Sequence, residues 1–331
     1  MTAPIETTGV AREAHPEAIA ESAGVRIEGR SLGQIAWARF RRDKVAMAGG
    51  VVIIFMILVA IFAPVITSFV GGDPAEYHDD LLDPVLNIPN GSFGGASWDH
   101  PLGLEPVNGR DIFSRIVYGA RISMLVAFLA TLLSVVIGVV LGTVAGYFGG
   151  WVDALISRAM DVFLAFPLLL FAIAIGSSLQ GEAFGMKGDT LRVTVLIFVI
   201  GFFSWPYIAR IVRGQTLSLR EREFVEAARS LGATDRHIIF KELLPNLVGP
   251  ILVYSTLLIP TNILFEAALS YLGVGVQEPT ASWGGMLARA TSRYEDAPMF
   301  MVVPGVTIFI TVLAFNLLGD GLRDALDPRS R

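Results

Sequence analysis

The residues able to do chemistry are few in this chain, and their spacing matches no catalytic or metal-binding pattern. Cysteine is absent, which excludes disulfides and thiolate metal sites. The four histidines, His15, His78, His100 and His237, lie far apart and do not have the spacing of metal ligands. We therefore expect no metal site and no catalytic residue in this chain.

The lysines exclude one source of energy. A phosphate-binding P-loop needs a Gly-Lys pair followed by Ser or Thr. The three lysines, Lys44, Lys187 and Lys241, follow Asp, Met and Phe instead. Nucleotide hydrolysis through such a loop is therefore excluded, and we expect no cofactor in this chain.

The segment 210–245 combines charge with helical periodicity. It holds seven basic and five acidic residues. Ser-Leu-Arg-Glu at 218–221 has the form of a capping box and predicts a helix that starts there. Phe224, Ala227, Ala228 and Leu231 share one face of that helix. Their spacing predicts an amphipathic helix.

A second short helix follows the first. Gly232 predicts the end of the first helix, and Asp235 is placed to cap the second, with Pro245 leading into the next span. The result is a helix–glycine–helix arrangement. Two interpretations stay open: a rigid lever for a soluble partner, or an amphipathic loop at the membrane surface.

Charge-free stretches predict the elements that position this segment. The chain has 331 residues, of which 53% are hydrophobic and 17% charged, against about 25% charged in soluble domains. Six stretches contain no charged residue and no histidine: 45–72, 122–152, 162–181, 193–209, 243–265 and 297–319. Crossing a bilayer takes about 20 apolar residues, and at least about 17. We predict an all-α polytopic membrane protein with six transmembrane helices, and exclude a soluble enzyme and a disordered chain.

The basic residues predict the orientation. With the N-terminus inside, the inner segments 1–44, 153–161, 210–242 and 320–331 hold 18 of the 25 Lys and Arg residues. Positive charge accumulates on the cytoplasmic side, so both termini are predicted to be cytoplasmic. The net charge of −5 gives no footprint for nucleic acid.

These elements divide the chain into five parts. They are a flexible cytoplasmic tail (1–30), an interfacial segment with the first span (31–72), an extracytoplasmic loop (73–121), a five-helix core (122–319) containing the loop 210–245, and a cytoplasmic C-terminus (320–331). Residues 31–44 fit a helix on the inner lipid surface or simple anchoring by arginine. Residues 111–120 predict a short separate helix on the outer surface.

Small residues and prolines mark the spans. Gly138, Gly142 and Gly146 line one face of span two, where they permit close helix packing, either static or sliding. Three prolines within spans predict kinks, and these are Pro167, Pro206 and Pro260.

Charged residues lie only at the ends of the predicted spans. Asp161 lies at the inner end of span three and Glu266 at the outer end of span five. A proton or ion relay places ionisable residues deep in the membrane. Their absence at mid-span favours a protein whose driving energy comes from elsewhere.

The loop 210–245 resembles a family signature. Glu226-Ala227-Ala228, then Gly232, then Leu244-Pro245 resembles the EAA loop of bacterial ABC importer permeases. In that family the loop docks on an ATP-binding subunit, so the resemblance implies that these six residues couple the chain to an ATPase.

Further blocks narrow the resemblance to permeases for dipeptides, oligopeptides and nickel. They are 100–103, 109–115 and 118–123 before span two, 266–273 after span five, and 316–324 at the end of span six. The basic segment before span one resembles the C-type of the two paired permeases. The implied fold is that of a type I ABC importer permease.

The resemblance implies a non-catalytic subunit of the bacterial inner membrane, surrounded by lipid, that forms half of a path for di- or oligopeptides. A nickel or other small-solute permease is the alternative within the family. An integral membrane enzyme is the alternative outside the family, and it would need a cluster of His, Asp or Glu residues at one membrane depth. The implied partners are a paired homologous permease, cytoplasmic ATP-binding subunits that carry ATP and Mg, and an extracytoplasmic solute-binding protein.

Overall fold

The computed structural model describes residues 32–178, 182–183 and 185–326, and this part of the chain is mostly helical. The helices are α1 (Leu32–Phe40), α2 (Lys44–Ile61), α3 (Ala63–Phe69), α4 (Ile112–Phe148), α5 (Gly150–Ala165), α6 (Leu168–Ser178), α7 (Gly188–Leu219), α8 (Glu223–Ser230), α9 (Asp235–His237), α10 (Leu244–Tyr271), α11 (Trp283–Ala290) and α12 (Pro298–Leu326). Strands β1 (Glu182–Ala183) and β2 (Met186–Lys187) form an antiparallel hairpin. The predicted tail 1–30 lies outside the described residues.

Five helical stretches are long and apolar enough to cross a membrane, and a sixth span is broken. The five are α2, α4, α7, the continuous stretch Asp235–Tyr271 and α12. The broken span is the pair α5 and α6, which bend by 75° at Phe166 and Pro167. Proline cannot donate to the preceding turn and disfavours helix at the residue before it. The six predicted spans are therefore present, with the kink predicted at Pro167 as a complete break.

Three predicted boundaries differ from the boundaries of the helices. Residues 153–161, predicted as an inner segment between two spans, are helical in α5, which begins at Gly150. Span six runs on to Leu326, beyond the predicted limit of 319. Residues 111–120 form no separate helix on the outer surface, because they are the first turns of α4. The outer loop therefore ends at Asp111, whose carboxylate accepts a hydrogen bond from the backbone N–H of Ser114 and caps α4.

Helix α4 has 37 residues, which is about 55 Å at 1.5 Å per residue. The hydrocarbon core of a bilayer is only about 30 Å thick. Because the helix continues past both boundaries of the core, its two ends lie at opposite membrane surfaces. Residues that bind each end are thus linked by one uninterrupted helix.

The glycine stripe of α4 lies against α7. A Cβ atom at Gly138, Gly142 or Gly146 would lie 2.6–2.7 Å from Ile208 Cβ, Ala209 O or Thr216 Cβ respectively. Such distances leave no room for a side chain, so the two backbones pack directly against each other. The hydroxyl of Ser134 adds an interhelical hydrogen bond to the carbonyl of Gly201, at 2.8 Å.

A tryptophan organises the outer half of the bundle. Trp283, at the start of α11, is fully buried, and its indole N–H donates to the carbonyl of Ile116 at 3.0 Å. Gly119 makes the site possible, since a Cβ there would lie 2.9 Å from the indole ring. At the opposite end of the bundle, Gly321 of α12 packs on Ala46 of α2. The ends of the described chain therefore share one side, as the topology predicts.

Candidate functional site

The segment between α7 and α10, residues 220–243, forms the elbow. The first helix of the elbow is present as α8, but its predicted start at 218–221 is wrong, because α7 continues to Leu219 and α8 begins only at Glu223. The reason is tertiary: Val212 and Thr216 of α7 pack against Gly142 and Gly146 of α4. This packing keeps α7 helical past the local capping signal.

Gly232 ends α8, as predicted. Its φ of +82° lies in the left-handed region that glycine adopts without strain. The Ala233 N–H donates to the carbonyl of Ala228 at 3.0 Å, and the Gly232 N–H to that of Arg229 at 2.9 Å. These two bonds form a Schellman motif, which fixes the direction in which the chain leaves the helix.

The cap of the next helix differs from the prediction by one residue. The hydroxyl of Thr234, rather than the carboxylate of Asp235, accepts the hydrogen bond from the His237 N–H. The Asp235 carboxylate instead accepts a hydrogen bond at 2.7 Å from the hydroxyl of Tyr147, at the inner end of α4. Asp235 therefore links the elbow to α4.

The elbow leads into α10 without a break. Residues Ile238–Leu243 form a π-helical turn, and Leu244 and Pro245 follow as the first residues of α10. Pro245 has no N–H to donate to the preceding turn, and a local π turn accommodates such an interruption. The second elbow helix and span five, predicted as separate, therefore form one helical stretch, Asp235–Tyr271. A displacement of the elbow moves α10 directly.

The elbow has a buried side and an exposed side. Val225, Ile238 and Leu243 are buried and pack with residues of α4, α7 and α10. Phe224 is 37%, Phe240 62% and Leu231 88% exposed. Of the apolar face predicted on α8, Phe224, Ala227 and Leu231 are exposed, whereas Ala228 packs on the buried cluster. Sequence reasoning missed Val225 as the anchor, although it lies one turn before Ala228 on the side that faces the bundle.

The predicted coupling residues follow the same division. Glu226, Ala227, Gly232 and Pro245 are exposed, whereas Ala228 and Leu244 are half-buried. Two basic side chains attach the elbow to the inner end of α4. The Arg220 guanidinium donates to the carbonyl of Gly146 at 3.0 Å, and that of Arg229 lies over the Tyr147 ring, 5.6 Å from its centroid.

The opposite end of the molecule contains an ion-pair cluster that sequence reasoning did not identify. The outer ion network comprises Glu105, Arg110, Arg115, Glu278 and Arg289. Glu105 is buried and binds all three arginines, with N–O distances of 2.9 Å to Arg110, 2.7 Å to Arg115 and 3.0 Å to Arg289. Glu278 binds the same three arginines from the solvent side. The network therefore joins the outer loop, the start of α4, α11 and the segment that precedes α11.

The network lies in a poorly hydrated environment. Arg110 and Arg115 are buried, and 43% of the Glu278 side chain is exposed. Burial lowers the pKa of Arg289 to about 10, against the opposing effect of Glu105. Arg110 and Glu278 are 168 residues apart, so no local spacing signals their contact.

A third polar group lies between α4 and α10. This α4–α10 seam comprises Ser123 and Thr131 of α4 with Asn262, Glu266 and Ser270 of α10, all buried. The Asn262 amide donates to the Thr131 hydroxyl at 2.8 Å, and the Ser270 hydroxyl to the Glu266 carboxylate at 2.8 Å. Glu266 lies in the outer part of α10, which continues beyond it to Tyr271.

Comparison with protein families gives two matches. Residues 138–331 match the family described as binding-protein-dependent transport system inner membrane component. Residues 31–84 match the N-terminal transmembrane domain of oligopeptide transport permease C.

Curated relatives and solved structures agree with these matches. The chain is 46% identical over 293 residues to the glutathione transport system permease protein GsiD of Salmonella paratyphi A, covering 88% of this chain and 89% of that protein. The corresponding protein of Escherichia coli O6:H1 is 43% identical over the same coverage. An inward-facing structure of the MetNI methionine ABC transporter superposes with a TM-score of 0.51 at 20% identity, covering 65% of this chain and 98% of that one. This last similarity concerns the fold alone.

Proposed function

The chain belongs to the family of binding-protein-dependent transport system inner membrane components, and we propose that it forms one half of the path by which an ATP-driven importer takes up short peptides. It is a permease subunit of an ABC importer, a multi-pass protein of the inner membrane and not an enzyme. The substrate, the contacts with partners and the roles of individual residues belong to the proposal.

The relatives support peptides as the substrate class. GsiD is described as a glutathione permease, and glutathione is a tripeptide. The match at 31–84 is to an oligopeptide permease. Both descriptions concern molecules with peptide bonds and a free amino group, and we extend that class to this chain.

The elbow supports the proposed coupling role. Its exposed side carries Phe224, Leu231 and Phe240 next to the signature residues Glu226, Ala227 and Ala228. An apolar patch on a surface that faces the cytoplasm is typical of a protein contact. We assign this patch to an ATP-binding subunit, which in this proposal carries the ATP and Mg.

The single observation that carries the mechanism is the continuity of the elbow with α10. Because Asp235–Tyr271 is one helical stretch, closure of the ATP-binding subunits would displace α10 along with the elbow. Rigid-body movement of α10 and its neighbours would then open the path to alternate sides. A paired homologous permease supplies the other half of the path, and a solute-binding protein delivers peptide to the outer surface.

The experiment starts with the complete assembly, purified through a tag on this chain. Leu231→Asp places a charge in the centre of the exposed patch, and we expect the ATP-binding subunits to be lost from the purified complex. The matched control is Val85→Asp, at an 82% exposed apolar residue of the outer loop, which should retain them. In proteoliposomes, the wild-type assembly with its binding protein should accumulate a labelled dipeptide only with ATP inside. Retention of the ATP-binding subunits by Leu231→Asp would refute the docking site, and ATP-driven uptake of nickel but not of peptide would refute the substrate.

A further inference from the structure

The α4–α10 seam contains more hydrogen-bonding atoms than hydrogen bonds. Three of its buried atoms form no hydrogen bond of good geometry among the described residues, and these are Ser123 Oγ, Asn262 Oδ1 and Glu266 Oε2, although the Ser123 hydroxyl interacts with the Glu266 carboxyl. Buried polar groups are normally paired, and each exception calls for an explanation. Three such atoms along one helix contact indicate a site that is completed by something from outside the chain.

The seam carries a carboxyl group without a positive partner. Within the described part of the chain, Glu266 forms no ion pair, and its carboxyl group interacts only with the hydroxyls of Ser270, at 2.8 Å, and of Ser123. The facing side chains on α4, Ser123 and Thr131, are neutral hydroxyls. Burying a carboxylate without a counter-cation is costly, so the seam is suited to receive a cation.

We propose that the seam is a binding site for the ammonium group of the transported solute, exposed when α10 moves away from α4. An ammonium group has three N–H donors and one positive charge. The seam offers three acceptor groups, namely a carboxyl, an amide carbonyl and a hydroxyl, and the carboxyl can carry a negative charge once the seam has opened. This inference rests on the proposed function, and it identifies the part of a peptide that the permease itself recognises.

The packing explains why the contact of α4 with α10 opens, and not the contact of α4 with α7. The contact of α4 with α7 runs backbone to backbone over Gly138, Gly142 and Gly146, so α4 and α7 move as one body. The contact of α4 with α10 is made by side chains, including the incompletely bonded polar ones. Within α10, Pro260 lies two residues before Asn262, and its missing N–H weakens the helix there. The outer part of α10 can therefore bend at Pro260 and carry Asn262 and Glu266 towards the path.

The test uses the absence of cysteine from the chain. Ser123→Cys introduces a single thiol into the seam of the complete assembly, reconstituted in proteoliposomes and hydrolysing ATP. The rate at which this thiol is labelled is measured by mass spectrometry of this chain, with two probes. Aminoethyl methanethiosulfonate carries an ammonium group, and sulfonatoethyl methanethiosulfonate carries a sulfonate. We expect the ammonium probe to react about tenfold faster, after correction for intrinsic reactivity, as for about 1.4 kcal/mol of preference.

Matched variants identify the cause of the preference. With Glu266→Gln added, the rate ratio should fall close to one, whereas Glu266→Asp should keep it. Ser134→Cys is the control for access: it lies on the same helix but faces the carbonyl of Gly201 in the α4–α7 contact, and it should remain unlabelled. Retained ATP hydrolysis in each variant shows that the assembly is intact.

Three results would overturn the inference. They are no labelling of Ser123→Cys during turnover, a preference that persists in Glu266→Gln, and a preference found only in the chain purified without its paired permease. The third result would mean that, in the complete assembly, a cation of the paired permease occupies the site. Because the probes are not transported peptides, the preference is independent of the proposed function. If the labelling preference is preserved but no peptide is taken up, peptides are rejected as the substrate class, while the ammonium-binding site is retained.

Discussion

The two ends of this permease are built on opposite principles. At the outer surface, three arginines and two glutamates interlock four segments, and most of their charged atoms are shielded from water. At the inner surface, the elbow rests on three buried aliphatic side chains and turns its larger apolar groups outward. The outer end gains its order from within the chain, whereas the inner end exposes apolar groups. In the proposed function the outer end is the fixed part of the molecule and the inner end is the part that a partner moves.

Breaking the outer ion network should have the largest effect. Glu105→Gln removes the one carboxylate that contacts all three arginines from the buried side. Loss of one partner from a buried ion pair costs about 3–5 kcal/mol, because the remaining charge stays unpaired. We expect a large fall in the apparent melting temperature in detergent, measured by tryptophan fluorescence, to which the buried Trp283 contributes. Glu76→Gln, at an exposed residue of the same loop, should change the free energy of unfolding by less than about 0.5 kcal/mol, and equal effects would contradict the network's role.

Changing the elbow should affect coupling more than stability. Gly232→Ala forces a side chain into a left-handed conformation, at a cost of about 1–2 kcal/mol, although an added Cβ meets no atom within 4 Å. We expect fewer peptides imported per ATP hydrolysed, with little change in the melting temperature. Gly214→Ala, in α7 and equally free of contacts, is the matched control. An unchanged ratio of uptake to hydrolysis in Gly232→Ala would show that the bend is not needed for coupling.

The smallest expected effect concerns pH at the outer surface. Burial raises the pKa of Asp111 against the opposing hydrogen bonds from Ser114 and His100. Because the folded-state pKa exceeds the unfolded one, the contribution of Asp111 to stability is present below the unfolded pKa and lost as pH rises through the folded pKa. Asp111→Asn keeps the helix cap but cannot ionise, so the variant does not lose this contribution to stability as pH rises. The melting temperature of the wild type, relative to that of Asp111→Asn, should fall as pH rises from 4 to 7.

A second aspartate on the same loop supplies a control of opposite sign. Backbone N–H groups of Leu86 and Val85 lower the pKa of Asp83, so its contribution is present above the unfolded pKa and lost as pH falls through the folded one. Relative to Asp83→Asn, the wild type should therefore lose stability on acidification. Identical slopes for the two pairs would show that neither carboxylate determines the pH dependence.

Local patterns predicted much of this molecule. Hydropathy located the six spans, and glycine spacing picked out the face of α4 that packs on α7. Proline chemistry predicted the interruption at Pro167, and the left-handed requirement at the end of α8 identified Gly232. Each of these depends on residues within a few turns of each other.

Long-range contacts account for what the sequence did not predict. The capping box at 218–221 was overridden because α7 packs on glycines of α4, about 70 residues earlier in the chain. The outer ion network joins Arg110 to Glu278 across 168 residues. The burial of Glu266 depends on how α10 lies against α4, which no periodicity within α10 specifies. The role of the six predicted coupling residues remains a prediction.

The length of α4 has a mechanical consequence. Arg115, near one end, is held in the outer ion network, while Gly146 and Tyr147, near the other end, bind the elbow through Arg220 and Asp235. Between them the helix is uninterrupted, so it acts as a strut of fixed length. The two surfaces therefore cannot approach or separate along the membrane normal, and a push from the cytoplasm can only be resolved as tilt or rotation about that strut.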